Sequence, residues 1–163
     1  MTNIQLQHLA DDLFSLLSTK RLTICTAESI TAGYICGTIA KASGISRWLK
    51  GGLVCYQPAV KTDILKIPQD LVTLRYAVNE PTAIRMAENA AALFGADIAI
   101  SSTGFAESYE NYWPEAYVGI YLAQSGVSVI HLDLRETTRR EEVRLAVVRE
   151  GLIGLIERLK GSR

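Results

Sequence analysis

The sequence predicts a three-layer α/β sandwich, with helices on both faces of a mixed sheet. Three observations carry that expectation. Segments of helical periodicity alternate with short β-rich runs along most of the chain. Two of the later runs flank a tight Gln124-Ser125-Gly126 turn, which makes them an antiparallel hairpin. A long amphipathic segment lies toward each end and offers an apolar stripe to a sheet. At 163 residues, one domain over 1–163 is expected.

Taken in order, Ile4, Leu6, Leu9, Leu13, Leu16 and Leu17 recur mostly at three- and four-residue spacing and predict a helix from about Asn3 that lies against the sheet. Residues 22–27 read as a strand running into the turn 28–33, and the next helix is expected from about Ile30 to Ala42, its first N–H groups facing that turn. Residues 48–56 read as a second strand, 56–60 as a loop and 61–65 as a short helix closed by Pro68. Ala83, Ile84, Ala87, Ala90, Ala91 and Phe94 define a helix opened at Asn79 or Glu80 and ended by Gly95. Residues 96–101 form a buried-type strand, and 117–123 with 127–134 form the hairpin. Thr137 or Thr138, with Glu141 and Glu142, predicts the capped start of a long last helix marked by Val143, Ala146, Val147, Leu152, Leu155, Ile156 and Leu159.

Composition narrows the function. Hydrophobic residues at 48%, charged residues at 21%, four Pro and twelve Gly exclude disorder, collagen and coiled coil. Seventeen basic residues balance seventeen acidic ones, so nothing drives the chain toward nucleic acid or an acidic membrane, and any anionic ligand must meet a local cluster. Cys25, Cys36 and Cys55 lack zinc or redox spacing and read as core hydrophobes of a reduced, cytoplasmic chain. The acidic, polar stretch 1–12 does not read as a signal peptide, and no apolar run reaches the roughly 18 residues of a membrane span. His8 and His131 have no acidic or cysteine partner at ligand spacing, so no metal site is expected.

In open α/β sheets, ligands bind beyond the strand ends, which directs attention to four clusters. The turn 27–33 holds Glu28, Ser29 and Thr31 where a strand hands over to a helix. Ser29 can be a nucleophile there, or simply a helix cap. Tyr56 and Lys61 flank a Pro-containing loop, and a buried Lys61 can serve as general base, although a surface lysine fits the same letters. The run 101–104 brings hydroxyls and Gly104 to a strand end, able to hold an anion with backbone N–H groups or to serve only as a turn. Arg140 and Arg144 share a helix face and can fork onto a phosphate, or pair with Glu141 and Glu142 in solvent.

Together these blocks resemble the C-terminal domain family of competence-damage inducible CinA proteins. The resemblance runs through Thr26-Ala27-Glu28-Ser29 with Thr31 and Gly33, Gly51-Gly52-Leu53-Val54, Tyr56 to Lys61, Ala77-Val78, Gly95-Ala96-Asp97, Thr103-Gly104, Val118-Gly119 and Arg140 to Arg144, and so covers nearly the whole chain. It implies deamidation of nicotinamide mononucleotide to nicotinate mononucleotide and ammonia. Ser29 would attack the carboxamide carbon, Lys61 would take its proton and Tyr56 would support the pair. N–H groups at the start of the Ile30 helix would stabilise the oxyanion. Glu28, Thr31, Gly33, Thr103, Gly104, Arg140 and Arg144 would make up the ligand-binding set. No cofactor or metal is implied.

The departures fall on ligand-facing loops. Ala32 stands where the family has glycine, adding a methyl where the backbone is expected either to approach ligand closely or to adopt positive φ. Gln57-Pro58 replaces Ser-Asn, Asn79 replaces Ser and Arg139 replaces Asp. The loop 105–114, glycine- and proline-rich in the family, here carries Glu107, Glu110 and four aromatic residues. Two alternatives therefore stand beside the hydrolase: a non-catalytic nucleotide-binding or regulatory relative, and an amidase for a less anionic substrate. They are separated by where Glu107 and Glu110 point. The aromatic run Tyr109, Tyr112, Trp113 and Tyr117 suggests a homo-oligomer, or rings that pack beneath a lid.

Overall fold

A computed structural model describes residues 2–137 and 139–161 of the chain. The elements run α1 (Asn3–Lys20), β1 (Ile24–Glu28), α2 (Tyr34–Ile39), β2 (Leu49–Val54), α3 (Pro58–Asp63), α4 (Gln69–Thr73), α5 (Glu80–Phe94), β3 (Ile98–Phe105), β4 (Glu115–Leu122), β5 (Gly126–Asp133) and α6 (Arg140–Gly161). The sheet order is β2-β1-β3-β4-β5. β1 pairs parallel with β2 and β3, while β3, β4 and β5 pair antiparallel, giving the expected mixed sheet with its hairpin.

Strand alternation sends side chains to two cores. Ile24, Ile98, Ile100, Val118 and Ile120 face α1, α2 and α6. Cys25, Ala27 and Ala99 face α5 and the segment 60–72. α1 packs on α2 and α6, and its Leu13 and Leu17 reach the strand residues of the first core. Small residues let the layers close: a methyl added at Gly151 of α6 would meet Ile100 Cδ1 and Val118 Cγ1, both at 3.2 Å.

Local signals account for the helix ends. Thr2 and Gln5 form a reciprocal capping box on α1. The Asn79 side chain accepts the Thr82 N–H at 2.8 Å to open α5, and Gly95 at φ 59° ends it.

Four expectations are corrected. α2 begins at Tyr34 rather than Ile30, because Gly33 at φ 96° turns the chain only there. Residues 58–60 are not loop: Pro58 occupies the first turn of α3, where its missing N–H costs nothing, and the helix ends at Asp63. Thr103 and Gly104 are not a turn but lie within β3, opposite Tyr117 and Ala116. His131 does have an acidic partner, since Glu115 sits diagonally across the hairpin with 2.9 Å between Nε2 and Oε2. Thr138, one of the two expected caps of the last helix, lies outside the described residues. Among the described residues no helix is long and apolar enough to cross a membrane.

Candidate active site

Strand β1 has β2 on one side and β3 on the other, and the chain crosses from one sheet face to the other between them. This is the switch point at which α/β sheets open a crevice. Ser29 follows β1 directly. Its N–H donates to the Ser102 carbonyl at 2.9 Å, and the Cys55 N–H donates to the Glu28 carbonyl at 2.8 Å, so the serine is stitched to the segments on both sides.

Helix α3 delivers Lys61. The side chain is 3% exposed, and its Nζ donates to Ser29 Oγ at 3.0 Å and to the Cys55 carbonyl at 2.7 Å. No carboxylate pairs with it among the described residues. Burial without a counter-charge disfavours the ammonium and lowers the pKa below the ordinary 10.5. A neutral amine three ångströms from a hydroxyl can accept its proton, which gives a nucleophile and a base in contact.

Glu28 is fully buried and faces inward rather than toward ligand. One carboxylate oxygen accepts from Thr26 Oγ1 at 3.0 Å and the Cys36 N–H at 2.7 Å. The other accepts from Thr31 Oγ1 at 2.7 Å and the N–H groups of Gly33 and Ile35 at 3.0 and 2.9 Å. The positive end of α2 is therefore filled by the chain's own carboxylate. The N–H groups expected to serve as an oxyanion hole at this helix start are committed. The Ile30 N–H, immediately after the serine, has no acceptor among the described residues.

A cavity of about 370 Å³ opens over Ser29 and Lys61, with Tyr56, Thr103, Gly104 and Arg140 in its wall. Of the expected ligand-binding set, Glu28, Thr31, Gly33 and Arg144 do not line it. Thr31 and Gly33 bind Glu28 instead. Arg144 donates to the Thr31 carbonyl at 3.1 Å and lies 4.4 Å from the centre of the Tyr34 ring, bracing the turn from behind. Thr103 Oγ1 donates to the Ala77 carbonyl at 2.8 Å, tying one cavity wall to another. At Gly104 a Cβ would collide with the Glu115 carbonyl and Ile30 Cδ1, so the glycine is required by close packing of β4 and the turn.

Among the described residues Tyr56 makes no hydrogen bond to the serine–lysine pair, although it lines the same cavity. Its hydroxyl accepts from Arg140 Nη2 at 2.7 Å, and Arg140 Nη1 donates to the Glu107 carboxylate at 2.6 Å, so all three meet at the rim. Glu110 turns away to accept from the Tyr76 hydroxyl at 3.0 Å, which pushes that phenol up to about 12. The residues that sequence reasoning passed over are Arg75 and Tyr76, next to the Ala77-Val78 block of the resemblance. Three successive non-glycine residues adopt left-handed φ of 49°, 55° and 65°, held by an ion pair from Arg75 to buried Glu115, and Tyr76 and Ala77 enter the cavity wall. No local pattern in Leu74-Arg75-Tyr76-Ala77 signals that conformation. Cys25 and Cys55 are buried thiols, pushed up to about 12 and about 11 by desolvation. Among the described residues no group of three or more His, Cys, Asp or Glu is placed to hold a metal ion.

The family model for the CinA C-terminal domain matches residues 6–159. A CinA-like protein of Dictyoglomus thermophilum is 33% identical over 159 residues, covering 90% of this chain and 38% of the relative. The chain thus spans little more than a third of the length of the curated relatives it matches. Among solved structures, the competence/damage inducible protein CihA from Agrobacterium tumefaciens is 28% identical with a TM-score of 0.87 and 95% of each chain covered. The competence damage-inducible protein A from Klebsiella pneumoniae shares the fold at a TM-score of 0.89, with 23% identity, covering 97% of this chain and 99% of its own. With the family model spanning both core layers and the serine–lysine crevice, the chain belongs to the CinA C-terminal domain family.

Proposed function

We propose that this chain is a serine amidohydrolase that deamidates a nicotinamide-type carboxamide, with nicotinamide mononucleotide, the substrate implied by the family resemblance, converted to the nicotinate mononucleotide and ammonia. The observation that carries the proposal is the 3.0 Å contact between Ser29 Oγ and the buried, carboxylate-free Lys61 Nζ. Ser29 Oγ attacks the carboxamide carbon as Lys61 takes its proton. The Ile30 N–H stabilises the oxyanion, and the lysine returns the proton to the leaving nitrogen so that ammonia departs. Water, deprotonated by the same amine, then cleaves the acyl-serine ester and restores both groups. Arg140, at the far rim, is the partner available to a substrate phosphate.

The test is ammonia release from nicotinamide mononucleotide by wild type, Ser29→Ala and Lys61→Ala. Release by wild type, reduced by about 1,000-fold or more in each variant, is the expected result for two groups that act as a unit. Wild-type turnover that survives in either variant removes the pair from the chemistry. No turnover of any nicotinamide-type amide by wild type removes the hydrolase.

A further inference from the structure

The charges and rings around the cavity are unevenly shared. Lys61 and Arg140 are its lining cations. Lys61 is buried on Ser29 and the Cys55 carbonyl, so an anionic group on a ligand has Arg140 to meet. Arg140 is already engaged by the Glu107 carboxylate at 2.6 Å, and Glu107 is itself in the cavity wall. A ligand phosphate must displace that carboxylate or sit beside it, and like charges at such range repel.

Aromatic rings make up one part of this wall. Tyr76, Phe105 and Tyr109 line it, with the Tyr76 ring edge-on to Phe105 and Tyr109 at centroid distances of 6.3 and 5.4 Å. Phe105 is backed by Tyr112 stacked at 4.8 Å. The left-handed backbone at Arg75, Tyr76 and Ala77 is a conformation that non-glycine residues adopt at a cost, and the Arg75–Glu115 ion pair holds Tyr76 in place there. The Glu110 carboxylate on the Tyr76 hydroxyl adds negative charge beside that ring, while the Arg75 guanidinium lies 5.1 Å from the centre of the Tyr112 ring. Aromatic rings attract a flat cation, and the Tyr76 hydroxyl, already donating to Glu110, is not free to donate to a phosphate.

We infer that Glu107 is a specificity-determining residue that turns this cavity away from phosphorylated ligands and toward an unphosphorylated, cationic aromatic amide, such as a pyridinium carboxamide bearing a neutral sugar. The carboxamide end rests on the function proposed above, and the mononucleotide is then the poorer of two ligands. The charge selection belongs to Glu107, Arg140 and the ring wall, and is measurable without turnover.

The experiment is calorimetric binding of nicotinamide riboside and of its 5′-phosphate, the mononucleotide, to Ser29→Ala protein with and without Glu107→Gln. With Glu107 intact, the riboside binds about tenfold more tightly, the scale of a like charge brought close in a surface pocket. Glutamine keeps the shape and can still accept from Arg140, so a shift of about tenfold in the affinity ratio toward the phosphate reports charge rather than packing. Equal or tighter binding of the phosphate with Glu107 intact, a ratio that Glu107→Gln does not move, or no measurable riboside binding overturns the inference. Ammonia release by wild type is scored separately: selective binding without ammonia keeps Glu107 in its role and removes the hydrolase.

Discussion

The turn that carries Ser29 and the rim that carries Arg140 are held in opposite ways. In the turn, buried Glu28 accepts from Thr26, Thr31 and the N–H groups of Gly33, Ile35 and Cys36, and every one of these bonds is shielded from water or nearly so. At the rim, Arg140, Glu107 and Tyr56 meet in solvent, with Tyr56 51% exposed, and such pairs contribute little to stability. The proposed reacting pair is thus over-determined by the fold, while the groups proposed to select ligand are lightly fastened. Substitutions can then redirect the rim without disturbing the chemistry.

Loss of Ser29 or Lys61 is the largest effect expected and leaves the rim intact. Next is Glu28→Gln, which turns an amide NH₂ toward donors that need an acceptor. We expect a loss of about 3 kcal/mol, read as a lowered denaturant midpoint with unchanged slope. An unchanged midpoint would mean the turn is not held by Glu28. A third effect is on pH. In the proposed mechanism the neutral amine is the active form of Lys61, and its pKa lies below the ordinary 10.5 because the side chain is desolvated. Accordingly kcat/KM rises with pH and levels off below that value, activity being lost as pH falls through the folded-state pKa. A rise that continues through 10.5 breaks the link between burial and chemistry. Smaller still is Ala32→Gly. Ala32 sits at φ 48°, where its methyl is strained, so glycine raises stability by up to about 1 kcal/mol, partly offset by its freer unfolded chain. Glu110→Gln, at the exposed rim, leaves the melting temperature unchanged.

Much of the fold is legible in the sequence because its signals are local. Asn79 and Gly95 bracket α5 by cap chemistry, and Gly126 closes the hairpin at φ 75°. Of the two expectations at Ala32 drawn from the family's glycine, positive φ is present. Legibility fails where tertiary packing overrides a local sign. Pro58 reads as a breaker yet starts a helix, and Gly104 reads as a turn yet is a strand residue pressed against Glu115. The site is less legible still. Ser29 and Lys61 are 32 residues apart, and no spacing rule brings a strand end to a short helix across a parallel sheet. Their pairing was implied by the resemblance, not by periodicity. Glu28 shows the converse: an acid beside a candidate nucleophile looks like a ligand contact, and only the turn into α2 at Tyr34 shows that three backbone N–H groups and two threonine hydroxyls take up its carboxylate.

The place of β1 in the sheet has a consequence for opening motions. Ser29 is tethered to a strand with hydrogen-bonded neighbours on both sides, so its anchoring amides exchange with solvent only when the whole sheet comes apart. The loop 106–114 has its own small bridge between Tyr109 and Tyr112, its side chains 107–111 are exposed, and it is fastened to the rest of the chain mainly by rim contacts such as Glu107 on Arg140 and Glu110 on Tyr76. On warming, hydrogen exchange is expected to rise first at the mouth of the cavity, so that the proposed discrimination among ligands would fade while Ser29 and Lys61 are still held together.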